Sequence, residues 1–258
     1  MLPYAAEIPK CMLPVNGRPI LSYAVDALRA AGCSEIVIVT GHLARRIDAP
    51  GCRRVHNADY DATNVLHSLM YARDWFDDDL LITYSDILVE PFVYKQLVDM
   101  VGDITLAVDV DWRDYYVGRT EHGVEEAEKA VVWTDGASRG KLAAIGKHID
   151  PPAEGDQILG EFTGLWKMSR QGAGRFRERF EVLDRALDEK APFQSAREWR
   201  KAYVTDFLSE LLAHKTEIEC LLIRRSWAEL DTVQDYHRLP AMVESQRLLS
   251  LQPKMAQP

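Results

Sequence analysis

Leu80-Leu81-Ile82-Thr83-Tyr84-Ser85-Asp86-Ile87 is an apolar run that stops at a carboxylate. A run of that length breaking into Ser-Asp reads as a central parallel strand delivering an acid to its carboxyl end, the edge where open α/β sheets bind ligands. An Asp in such a place can also cap a helix or form a turn, so position alone leaves both roles open. A second acid is placed alike. Asp231, in Trp227-Ala228-Glu229-Leu230-Asp231-Thr232, follows the apolar run Ile218 to Ile223. Two such carboxylates can share one hard cation, and Mg²⁺ is usually held by one or two carboxylates together with phosphate oxygens. The pattern points to phosphate chemistry.

Working outward, Met1 to Arg18 is rich in Pro and turn residues and reads as loop. From Pro19, a good first helical residue, Ile20, Leu21, Ala24, Val25 and Leu28 fall at helical spacing, and Gly32 supplies the stop. Glu35 to His42 is a β-branched run ending in a glycine turn, and Arg53 to His56 is a second short strand. A helix is expected from Asn64 to Trp75, another near Pro91 to Met100, and a strand from Ile104 to Val110. This alternation predicts an α/β fold with a doubly wound, mostly parallel, Rossmann-like sheet.

After Trp112 the pattern changes. Ala130 to Trp133, Leu142 to Ile145 and Leu159 to Met168 read as mixed or antiparallel strands added at the carboxyl edge of the sheet. Helices are expected over Gly172 to Leu187, Ser195 to Ala213 and Tyr236 to Leu249. The stripe Trp199, Tyr203, Phe207 and Leu211 reads as core. The expected organisation is a single domain over 1–250, with a nucleotide-binding part to about 112, an acceptor-binding part from 113, and a polar tail at 251–258.

The 258 residues are 47% hydrophobic, enough for one core of ordinary size. A formal charge of -9 argues against nucleic acid or an anionic membrane as the main partner. Four cysteines without metal-ligand spacing read as reduced thiols, and neither a membrane-length apolar run nor a signal core is present, so a cytoplasmic location is expected.

The segment Pro9-Lys10-Cys11-Met12-Leu13-Pro14-Val15-Asn16-Gly17-Arg18-Pro19-Ile20-Leu21 resembles one found in nucleotidyltransferases that join a nucleoside triphosphate to a phosphorylated acceptor. The resemblance continues in order through Thr40-Gly41-His42, Asn57 to Asn64, Ser85-Asp86, Gly160 to Gly164 and Glu229 to Tyr236. The Asn57, Tyr60, Thr63-Asn64 pattern and the closing Glu229-Leu230-Asp231…Asp235-Tyr236 are similar to the phosphocholine cytidylyltransferase branch. Ala107 to Asp114 with Glu126 to Lys129 looks closer to enzymes that cytidylate small phosphonates.

The resemblance implies in-line attack by a phosphate or phosphonate oxygen of the acceptor on the α-phosphorus of CTP. By the same resemblance Asp86 and Asp231 hold Mg²⁺, Lys10 sits against the phosphates, and Asn64 and Ser68, four apart on one helical face, line the nucleotide. Plain N-capping is the rival role for Asp231. Asn64 and Ser68 could equally be a cap and a surface polar residue. Candidates for acceptor recognition are Asp109, Asp111, Lys129, Lys147 and Glu161. Acids or the faces of Trp112 or Trp133 suit an ammonium head, and Lys or Arg a phosphonate. A homodimer is compatible with this reading.

The chain departs from the resemblance at its start. The family opens with a strand and a glycine-rich loop whose backbone N–H groups cradle the triphosphate, and neither is in the sequence. The expectation is a reading frame that starts upstream, with the missing strand leaving a break in the sheet. Two rivals stand beside cytidylyl transfer: a sugar-1-phosphate nucleotidyltransferase, and an inactive relative acting as a binding or regulatory subunit.

Overall fold

The computed structural model describes residues 4–152 and 155–244. The opening loop forms one 3₁₀ turn at Lys10–Met12 and a small hairpin, β1 (Pro14–Val15) with β2 (Arg18–Pro19). Its two turn residues, Asn16 and Gly17, take φ of 50° and 77°, the left-handed pair that a tight hairpin needs and that Asn-Gly supplies at least cost. The helix α1 (Ile20–Ala30) follows and buries Ile20, Leu21, Ala24, Val25 and Leu28, the face read from its spacing. Next come β3 (Val37–Thr40), β4 (Arg53–His56), α2 (Val65–Met70), β5 (Leu80–Thr83), β6 (Ile87–Val89), α3 (Pro91–Asp99) and β7 (Ile104–Asp109). The second half holds α4 (Arg113–Tyr116), β8 (Lys129–Trp133), β9 (Arg139–Gly146), β10 (Gln157–Met168), α5 (Arg170–Ala186), α6 (Val204–Ala213), β11 (Glu219–Ile223), β12 (Trp227–Glu229) and α7 (Val233–Glu244).

The fold is α/β with a mixed six-stranded sheet, ordered β5-β10-β7-β11-β9-β8. β7 and β11 run parallel, as do β3 and β4 in a separate pair, while β10 runs antiparallel to both β5 and β7. The expectation that β10 decorates the carboxyl edge is corrected for its second half, which lies inside the sheet. The cause is a bend. Gly164, at φ 78°, sits in a register shift between Phe162 and Trp166: residues 157–161 pair with β8 and 161–162 with the end of β7, while 165–168 pair with β5 and 166–168 with the start of β7.

The single helix expected over Ser195 to Ala213 is also corrected. Asp206 accepts from the N–H and Oγ of Ser195 with one oxygen and from the N–H of Tyr203 with the other, which fixes the start of α6 at Val204 and leaves only a 3₁₀ turn at Trp199–Lys201. Trp199, Phe207 and Leu211 are core as read, but Tyr203 borders the cleft described below. The helix expected to Leu249 is α7 as far as Glu244, and its remainder and the tail 251–258 lie outside the described residues.

Apolar packing covers both faces of the sheet. One cluster joins α5 and α6 to the sheet through Phe176, Phe180, Trp166, Trp199 and Phe207, and the opposite one packs α1 and α3 through Val25, Leu28, Val93, Tyr94 and Leu97. Between β3 and β5 the sheet is interrupted. Among the described residues each strand pairs on one edge only, β3 with β4 and β5 with β10. Ile36 to Val39, Leu80 to Thr83 and the inner face of α1 line a cleft of about 1190 Å³ that continues to the carboxyl ends of the strands. No helix among the described residues is long and apolar enough to cross a membrane.

Candidate active site

The two acids that end apolar runs meet because their strands pair beyond the main sheet. The short strands β6 and β12 are antiparallel with Ile87 opposite Glu229, and the Leu230 N–H donates to the Asp86 carbonyl at 2.9 Å. Register alone therefore places Asp86 beside Asp231. The 3₁₀ turn of the opening loop brings Lys10 between them: its Nζ contacts Asp86 Oδ2 and lies 2.8 Å from Asp231 Oδ1. Burial alone would lower the Lys10 pKa. The charges of Asp86 and Asp231 outweigh it and hold the ammonium above the ordinary lysine range. Burial would likewise raise Asp231, and the charge and hydrogen bond of Lys10 reverse that, keeping it below the ordinary carboxylate range.

Asp231 is not the cap of α7. Thr232 and Asp235 form a capping box: the Thr232 N–H donates to Asp235 Oδ2 at 2.9 Å and the Asp235 N–H to Thr232 Oγ1 at 3.1 Å. Asp235 Oδ2 also accepts from the Asp231 N–H at 3.1 Å. The backbone of Asp231 is thereby fixed while its carboxylate is left to face Lys10.

Asp235 is itself held by Arg119, which donates from Nε and Nη2 at 2.8 Å each and from Nη1 to Glu229 Oε1 at 2.8 Å. The Arg119 side chain is 0% exposed and that of Asp235 1%, so this three-way pair replaces water entirely for two of its members. Gln234 adds to it by accepting from the Thr120 N–H and donating to the Gly118 carbonyl, both at 2.8 Å, which ties the loop after α4 to α7. That loop carries His122, whose Nδ1 lies 3.4 Å from Asp231 Oδ2.

The expected nucleotide-side residues line the same cleft as Asp86 and Asp231. Asn64 caps α2, accepting from the Val65 N–H and donating to the Lys201 carbonyl at 3.1 Å, and the Ser68 hydroxyl accepts from Asn57 Nδ2 at 2.8 Å. Asn64 holds the first turn of α2 and Ser68 holds the Asn57 side chain, and both still line the cleft.

The five acceptor candidates divide. Lys147 and Glu161 line the cleft. Glu161 is 2% exposed and accepts from the Tyr116 hydroxyl at 2.6 Å, while its Oε2 is buried without a hydrogen-bond partner; burial and then the charge of Glu229 push its pKa well up. Lys147 donates to Glu126 at 3.0 Å and lies 5.2 Å from the centre of the Tyr203 ring.

The other three do not border the cleft, and each for a local reason. Asp109 is 0% exposed and consumed by Arg225, the Trp227 indole at 2.9 Å and the Asp111 N–H at 3.0 Å. Asp111 pairs with Arg224 at 2.7 Å on the outer surface, and Lys129 donates to the Lys147 carbonyl at 3.0 Å. Trp112 is buried with its indole N–H on the Leu159 carbonyl, and Trp133 is exposed on the far hairpin outside the cleft lining.

Three cleft residues escaped the reading of the sequence. Glu128 accepts from Thr205 Oγ1 at 3.1 Å and from the Tyr84 hydroxyl at 3.4 Å, and burial pushes its pKa up to about 7. Glu229 is raised to about 8 by burial and then by the charge of Asp231. It lies two residues before Asp231 on an extended segment, and that period-2 spacing was the available signal. His122 is lowered by burial and then by Arg119, and nothing in its spacing marks it out.

The chain is similar to known nucleotidyltransferases. The profile of the MobA-like NTP transferase domain matches residues 5–230. The CTP:phosphoglutamine cytidylyltransferase of Campylobacter jejuni is 26% identical over 248 residues, covering 91% of this chain and 92% of that protein. The CMP-5'-(3-aminopropyl)phosphonate synthase of Streptomyces rubellomurinus is 35% identical over 97 residues, 34% of this chain and 15% of that protein. Among solved structures, the CTP:phosphocholine cytidylyltransferase of Streptococcus pneumoniae superposes with a TM-score of 0.68 at 17% identity, over 94% of this chain and 93% of that one. At that identity the likeness speaks for the fold.

Proposed function

This chain belongs to the family of MobA-like NTP transferase domains, and from that premise we propose that it is a cytidylyltransferase, transferring CMP from CTP to a small phosphonate or phospho-alcohol with release of pyrophosphate. The acceptor oxygen attacks the α-phosphorus as the bond to pyrophosphate breaks. A phosphate or phosphonate oxygen is already ionised near neutral pH, so no strong general base is needed, and catalysis consists of positioning and charge neutralisation.

One observation carries this reading: Asp86 and Asp231, from distant stretches, converge on the ammonium of Lys10. Two carboxylate oxygens aimed at one positively charged point are a hard-oxygen donor set that suits Mg²⁺. Asp86 and Asp231 would hold that ion, which when bound supplies neutralisation of the charge developing on the α-phosphate. Lys10 is the fixed cation of the site and pairs with the phosphates of the nucleotide, and Asn64 and Ser68 border its base and sugar.

Glu161, Glu128 and Lys147 form the acceptor end. The buried Oε2 of Glu161 lacks a donor, and Glu128 and the Tyr203 ring stand along the same cleft. This is a setting for an ammonium or amide N–H at the end of the acceptor away from its phosphorus. The relatives described above are cytidylyltransferases of phosphoglutamine and of phosphocholine and a synthase of CMP-5'-(3-aminopropyl)phosphonate, which supports this acceptor class.

The test is pyrophosphate release from CTP and Mg²⁺ with a panel of phosphocholine, 2-aminoethylphosphonate, 2-hydroxyethylphosphonate, phosphoglutamine and hexose 1-phosphates. Release with one small amino or hydroxy acceptor is expected. Turnover confined to hexose 1-phosphates would replace this acceptor class with the sugar reading, and CTP binding without turnover on any acceptor would favour a regulatory subunit.

A further inference from the structure

The short helix α2 is a wall between two cavities. On one side Val65 and Ser68 border the cleft. On the other, His67 and Met70 border a second hollow of about 390 Å³, lined from α5 by Phe180 and Asp184 and from the turn Trp199–Lys201 by Trp199 and Arg200. Nothing in the transfer reaction uses this hollow.

His67 forms its floor at 7% exposure, with its ring edge-on to those of Phe180 and Trp199 at centre distances of 5.1 Å and 4.8 Å. Its Nε2 lies 3.0 Å from the Trp199 carbonyl. A carbonyl only accepts, so Nε2 carries the hydrogen, and in the neutral ring Nδ1 carries the lone pair. Burial lowers the His67 pKa and so favours that neutral ring. Nδ1 has no hydrogen-bond partner among the described residues and, unlike the buried oxygen of Glu161, is not sealed from solvent, so its lone pair opens on the hollow.

Asp184 supplies a second unspent acceptor. Its Oδ1 takes the Trp199 indole N–H at 3.0 Å, and its Oδ2 has no hydrogen-bond partner among the described residues. The cations around it are spent or offset: Arg200 donates to Glu189 at 2.7 Å and to Asp59 at 3.2 Å, and Arg73 at the rim is balanced in charge by Asp74. Two free acceptors over aromatic rings suit a ligand that is cationic, brings N–H donors and has an apolar part.

We propose that this hollow is an effector site for a small primary alkylammonium, which donates its N–H groups to His67 Nδ1 and Asp184 and lays its alkyl chain against Phe180 and Trp199. The occupant is felt in the cleft through the turn Trp199–Lys201. That turn gives His67 its carbonyl and also holds Asn64, whose N–H donates to the Arg200 carbonyl at 2.9 Å and whose Nδ2 donates to the Lys201 carbonyl at 3.1 Å. A cation that fixes the turn and α2 from behind removes part of the ordering cost of binding the nucleotide, so CTP binds more tightly when the hollow is filled. This effect rests on the nucleotide-binding reading of the cleft; the site itself does not.

The experiment titrates the whole protein with n-butylammonium chloride in an amine-free buffer near neutral pH, first without nucleotide. Histidine-ring ¹H–¹⁵N spectra follow His67, assigned through its contacts with the Phe180 and Trp199 rings. Expected is a saturable shift of Nδ1 that weakens in affinity by about 10-fold in Asp184→Asn, a variant that keeps an oxygen for the Trp199 indole. Tetramethylammonium, which has the charge and no N–H, should not produce the shift, and Glu161→Gln should leave it in place, which separates the hollow from the acceptor end of the cleft. Calorimetry should then show CTP affinity rising by about 5-fold at saturating n-butylammonium. No saturable shift at His67, a shift unaffected by Asp184→Asn, an equal one with tetramethylammonium, or its loss in Glu161→Gln would each overturn the site. A saturable shift with CTP affinity unchanged or weakened would overturn the effector role, whereas CTP that fails to bind with or without the amine would count against the nucleotide reading of the cleft.

Discussion

The two flanks of the cleft are built on opposite terms. On the α7 side, every polar group that shapes the site is tied to another: Arg119 to Asp235 and Glu229, Asp235 to the backbone of Asp231 and Thr232, Gln234 to the loop after α4. On the β3 and β5 side the walls are apolar, and each strand leaves one edge of its ladder unpaired among the described residues. The first flank is fixed by charge-assisted hydrogen bonds away from water. The second leaves backbone donors and acceptors without the partners that a continuous sheet would give. Precision is concentrated where the two acids must meet.

If that contrast is right, the largest stability loss comes from breaking the knot on the α7 flank. Arg119→Ala leaves Asp235 and Glu229 without their partner and should cost about 3–5 kcal/mol, read as a lower urea midpoint at constant slope. A loss below about 1 kcal/mol would mean that the network is not rigid in solution.

A smaller effect sharpens the comparison at the acceptor end. Glu128 has a folded-state pKa of about 7 against an ordinary 4.5, so the folded protein holds this proton after the unfolded chain has released it. Stability from this group is therefore present below about pH 4.5 and lost as pH rises toward 7, by up to about 2 kcal/mol for a half-buried group. Glu128→Gln should flatten that part of the stability profile between pH 5 and 7.5, and an unchanged slope would assign the shift elsewhere. The mildest readout is amide exchange. Residues of β5 should exchange about 100-fold faster than those of β7, which is paired on both edges by β10 and β11.

Much of the fold and part of the site were readable in the amino-acid order, and the limits have a common cause. The apolar periodicity of α1 and the β-branched run of β3 report burial, which is a one-residue property, and both elements were found where they were read. Asp86 and Asp109 each end an apolar run and look alike in sequence. One faces Lys10 at the cleft and the other is sealed by Arg225 and Trp227, and that difference depends on partners more than seventy residues away. Lys147 and Glu161 border the cleft while Lys129 and Asp111 are spent on other bonds, for the same reason. His122 was missed because its meaning comes from the knot that positions its loop, and the bend of β10 because one glycine decides it.

The measurement that bears most directly on the account is a double-mutant cycle on turnover with Asp86→Asn, Asp231→Asn and the pair, each checked for folding. If both acids serve one charge-neutralising centre, each single change should lower kcat by about 10³-fold and the double should be little worse than either. Losses that multiply in the double variant would mean that the two carboxylates act independently, and the shared centre would not stand.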